Sequence, residues 1–156
     1  MGLEHKFFLV TYDEYEEMSY DGYYFPLENS SNLILIHDDI VQYIQDTLIW
    51  VPSINPAMNY ERGFGLNNYG VTLFDKEGAE VIFKIAKEWA DLFSNGPANL
   101  KLTGNYGWGP GDNAITDGNY EKIHMSRDEL VKSFRKLQLF SEKVICNEYL
   151  ILHRGI

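Results

Sequence analysis

Residues 100–125, LKLTGNYGWGPGDNAITDGNYEKIHM, decide the fold. Leu100–Tyr106 and Tyr120–Met125 read as strands, and the glycine-rich stretch 107–119 between them reads as a loop. Strands joined so directly form an antiparallel hairpin. The next residues, Ser126-Arg127-Asp128-Glu129, make a capping box ahead of an apolar stripe of Leu130, Val131, Phe134, Leu137 and Val144, which predicts a helix. On the other side, Ala79–Phe93 carries Ile82, Ile85, Ala86, Trp89, Leu92 and Phe93 on one face, and Asn95-Gly96-Pro97 stops that helix.

Tyr69–Phe74, Tyr149–His153 and Lys6–Thr11 read as further strands, and Leu33–Ile36 as a strand or the entrance to a helix. From Asp38, placed to cap it, a helix is predicted on the spacing of Ile40, Val41, Ile44 and Leu48. Residues 52–68 are rich in Pro, Gly and Asn and read mostly as loop, and residues 12–26 as an acidic loop or irregular edge. This order predicts an α+β fold: one domain over residues 1–156, with a mixed, mostly antiparallel sheet and about three helices packed against it.

Charge narrows the function. The chain of 156 residues has a formal net charge of −10. Residues 1–50 hold ten acids and one base, so residues 51–156 are nearly neutral. Such a field repels phosphate backbones and attracts a basic protein, which argues against binding to nucleic acid or an anionic membrane. No apolar run is long enough to span a bilayer, no signal peptide is legible, and one cysteine, Cys146, permits no internal disulfide. The expected location is the cytoplasm.

No strong catalytic motif is present, so no enzyme activity and no cofactor is expected. His5, His37, His124 and His153 fall in no metal-ligand spacing. His37-Asp38-Asp39 is the most site-like cluster, able to act as a general base or to hold a metal, but helix capping accounts for both carboxylates. Residues 112–124 fit a calcium loop poorly, and residues 106–112 have glycines without the lysine and helix of a phosphate loop. Cys146 lies near the end of a helix with no neighbouring histidine.

Residues 12–24, YDEYEEMSYDGYY, hold five acids and five tyrosines. Tyrosines suit interfaces, and carboxylates beside them would pair with Lys and Arg on a partner. Alternatively, the segment is a solvated loop whose tyrosines lean onto the sheet. On the first reading the partner-binding residues are Asp13, Glu14, Tyr15, Glu16, Glu17, Tyr20, Asp21 and Tyr23, with Asp38 and Asp39 as a charged rim and Trp108 as an anchor.

In YDEYEEMSYDGYY, GVTLFDKEGAEVIFKIAKEWADLFSNGP (70–97), YGWGPGD (106–112) and EYLILHRGI (148–156), the chain resembles the immunity proteins of bacterial contact-dependent and polymorphic toxin systems. The resemblance implies a protein that binds a cognate toxin domain, often a basic nuclease, and blocks its active site or substrate groove. Two rival expectations are a small-molecule-binding domain or enzyme centred on His37, Asp38 and Asp39, and a DNA mimic.

Overall fold

The computed structural model describes residues 3–20, 26, 28–29, 31–107 and 118–156, with residues 19 and 20 described through their backbone alone. Its elements are β1 (Glu4–Thr11), α1 (Tyr12–Tyr20), β2 (Leu33–His37), α2 (Asp38–Tyr43), α3 (Gln45–Leu48), β3 (Pro52–Asn55), β4 (Glu61–Phe64), β5 (Val71–Phe74), α4 (Lys76–Ser94), β6 (Asn99–Gly107), β7 (Asn119–Ser126), α5 (Arg127–Cys146) and β8 (Tyr149–Arg154). Six strands form one sheet in the order β2-β1-β8-β5-β3-β4, and every neighbouring pair is antiparallel. The expected hairpin is a separate two-stranded sheet, β6-β7. The fold is α+β.

Period-two alternation gives the main sheet two apolar faces. Phe7, Leu9, Ile34, Ile36, Phe74 and Ile151 point to one side, where α2, α4 and α5 cover them. The helices meet there through Ile82, Ala86, Trp89 and Phe93 on α4 and Leu130, Phe134, Leu137 and Phe140 on α5. Phe134 meets Trp89 in a tilted contact and stacks on Phe93, at centroid distances of 5.1 and 5.8 Å. Leu100 and Ile123 insert the β6-β7 hairpin into this same core. Phe8, Val10, Leu73, Leu150 and Leu152 point to the other side, where Tyr15 of α1 packs on them.

Three expectations need correction. Residues 12–20 are a helix, not an irregular loop. The Glu14 carboxylate accepts from the Thr11 N–H at 2.8 Å, and the Glu14 N–H donates to Thr11 Oγ1 at 3.1 Å, a reciprocal capping box. Residues 52–64 are largely β3 and β4, joined by a 3-10 turn at Pro56–Met58 and by Asn59 and Tyr60 at positive φ, 52° and 58°. The third concerns the helix at 38, which is capped by His37 rather than Asp38: His37 Nδ1 accepts from the Asp39 N–H at 3.2 Å. That shift of one position places Asp38 on the buried side of the first turn.

Candidate functional site

Neighbouring strands bring two histidines together. Phe7 on β1 pairs with His153 on β8, and His5 lies two residues earlier on the same face of β1. Neither histidine is exposed. His5 Nδ1 lies 2.8 Å from His153 Nε2, and His5 Nε2 lies 2.9 Å from Asp38 Oδ1. The second oxygen of Asp38 accepts from Gln42 Nε2 at 2.5 Å. Burial, and then the charge of His5, push the His153 imidazole down to about 3. His153 Nδ1 is the one buried side-chain polar atom without a hydrogen bond among the described residues. This His153–His5–Asp38 chain ties β8, β1 and α2 together inside the core.

Asp38 is therefore core, with 7% of its surface exposed, and cannot form part of a charged rim. Nor does it pair with His37. The His37 ring is occupied as the helix cap and lies 3.3 Å from an Asp39 oxygen. The expected His37-Asp38 cluster thus divides into a cap and a buried relay.

The acids of α1 are arranged differently. Tyr15 turns inward, 7% exposed, and Met18 packs beside it, so the opposite side of the helix carries Asp13, Glu14, Glu16 and Glu17, all exposed. The Tyr15 hydroxyl donates to the Tyr60 hydroxyl at 3.2 Å, which makes Tyr15 a packing residue rather than a contact residue. Glu14 doubles as the helix cap. The Tyr20 side chain, Asp21, Tyr23 and Trp108 lie outside the described residues.

Asp39 and the α1 acids do not share a surface. Glu4 pairs with His37 at one end of β1, whereas α1 leaves from Thr11 at the other. Eight residues at ~3.3 Å each separate the starts of α1 and α2 by about 25 Å, and the two helices cover opposite faces of the sheet.

Asp39 instead belongs to a polar cleft of about 290 Å³ between α2 and the β6-β7 hairpin, lined also by Gln42, Asp46, Asn105 and Glu121. Asn105 Nδ2 donates to Gln42 Oε1 at 2.9 Å across it. The Glu121 side chain lies over Gly104, where an added Cβ would come within 2.7 Å of Glu121 Oε2. Desolvation, followed by the charge of Asp39 and a hydrogen bond to it, raises the carboxyl of the exposed Glu121 above the usual carboxylate range. Asp46 and Glu121 carry no local sequence signal, because only the folded hairpin brings Glu121 to α2.

Among the described residues, no group of three or more His, Cys, Asp or Glu side chains is arranged to hold a metal ion, and no helix is long and apolar enough to cross a membrane. Comparison with protein-family models, curated proteins and solved structures finds no match to this chain.

Proposed function

We propose that this chain is an immunity protein of the cytoplasm that captures a cognate basic toxin domain, a nuclease by preference, and blocks it. The carboxylate array of α1 carries this reading. Asp13, Glu14, Glu16 and Glu17 project from one short helix that has no Lys or Arg. Glu17 opens the last turn of this nine-residue helix, where the helix dipole disfavours negative charge, and Glu16 is its middle residue. Lys and Arg on a basic partner would complement this array. The same charges would steer a basic domain onto the protein and raise its association rate. The resemblance in residues 12–24, 70–97, 106–112 and 148–156 points the same way.

The test is co-purification of the tagged chain from its native host at low and moderate salt. The expected result is one stoichiometric basic protein, toxic when expressed alone and harmless when this chain is co-expressed. A DNA mimic would instead retain several unrelated nucleic-acid-binding proteins. Recovery of no basic protein at either salt contradicts the proposal.

A further inference from the structure

We propose that the free edge of β4 is a strand-addition site for an extended, lysine- or arginine-bearing segment of the partner. This inference rests on the reading of the partner as a basic protein, and it assigns a second surface to it. Among the described residues, β4 pairs with β3 and has no strand on its other side. All four of its residues are exposed, Phe64 by 72%.

The phase of the hairpin determines which backbone groups are free. Gly65 N–H donates to the Val51 carbonyl at 2.9 Å, so Val51 and Gly65 are a hydrogen-bonded pair. In an antiparallel ladder such pairs alternate with non-bonded ones, so Ser53/Gly63 and Asn55/Glu61 are bonded, whereas Pro52/Phe64 and Ile54/Arg62 are not. Two facts agree with that phase. Pro52 has no N–H to donate, and Ile54 turns its backbone to the other neighbour, pairing with Leu73. Arg62 and Phe64 therefore aim their N–H and C=O groups outward, an unfilled template for an incoming strand.

Beside this edge lies a cleft of about 450 Å³, lined by Met58, Gly63, Phe64, Leu66 and Asn67 among others. An added Cβ on Gly63 would meet nothing within 4 Å, so the sheet face over Gly63 is open beside this edge. Charge selects the occupant. Arg62 is held by Asp75 at 2.6 Å and by Glu77 at 3.0 Å, and Glu61 adds a third carboxylate, leaving the edge net negative. A second copy of a chain carrying −10 is repelled by such an edge, whereas a basic strand is attracted.

The probe is a capped peptide of about eight residues alternating lysine with valine, beside its glutamine-for-lysine counterpart, titrated into isotopically labelled protein at low salt. Binding of the lysine peptide should protect the Arg62 and Phe64 amides from hydrogen exchange and leave the already bonded Gly63 amide unchanged. The glutamine peptide should bind at least about tenfold more weakly. Phe64→Pro, which removes an N–H that β3 does not use, should weaken binding by about tenfold relative to Phe64→Ala. Responses confined to the α1 amides would overturn the edge proposal while leaving the basic-partner reading intact. Equal binding of both peptides at β4 would overturn the stated partner chemistry, and silence at β4 and α1 alike would count against both readings.

Discussion

His5 Nδ1 lies 2.8 Å from His153 Nε2, and neither ring has any exposed surface. Evidence for the consequence lies in pH dependence. His153 is held neutral down to about 3, whereas an unfolded histidine takes its proton near 6.5. The unfolded chain therefore binds more protons in this window. The stabilising contribution of His153 is complete above about pH 6.5 and falls by about 1.4 kcal/mol per pH unit below it. Urea midpoints between pH 7 and pH 5 should decline more steeply for the native chain than for His153→Gln. Parallel slopes would refute the assignment.

Asp38 and Asp39 should differ sharply in their effect on stability. Asp38→Ala strips the partner from buried His5 Nε2 and from Gln42, with an expected loss of about 2–3 kcal/mol, and leaves the rate of partner capture unchanged. Asp39→Asn, nearer the surface, should change stability by less than about 0.5 kcal/mol. Thermal melts and association rates for the two variants check this.

Glu14 has two roles that its two substitutions divide. Glu14→Gln keeps an acceptor for the Thr11 N–H, whereas Glu14→Ala removes it and should cost about 1 kcal/mol. Chemical denaturation of both variants measures the difference.

Across the cleft, the Glu121 carboxyl should titrate above an ordinary glutamate when followed by carbon-detected NMR. Asp39→Asn should bring it down by removing the facing charge. Gly104→Ala should also lower it, because the new methyl displaces the Glu121 side chain. An Asp39→Asn titration unchanged from the native chain would show that Asp39 does not act on Glu121.

The long helices were legible because each carries its own signal. Asp75 caps α4, the Ser126 hydroxyl caps α5 by accepting from the Glu129 N–H, and the apolar stripes of both run at helical spacing. Thr11 and Glu14 bear the same signature before α1, but density of acids and tyrosines masks a helix whose inward side rests chiefly on Tyr15 and Met18. The hairpin β3-β4 reads as loop because Pro52 and Gly63 weaken a strand elsewhere. Here Pro52 stands where no N–H is needed and Gly63 on an exposed edge. The buried relay has no local trace at all. His5 and His153 are 148 positions apart, and only the register of β1 on β8 joins them.

On the proposed function, the outward carboxylates of α1 would capture a basic partner. The most direct measurement is the association rate of the co-purified partner with the native chain and with the combined Asp13→Asn, Glu16→Gln, Glu17→Gln variant, over a range of salt. The variant is expected to associate at least about tenfold more slowly at low salt, with the gap closing as salt rises and the dissociation rates staying similar. Equal association rates at low salt would contradict that proposal.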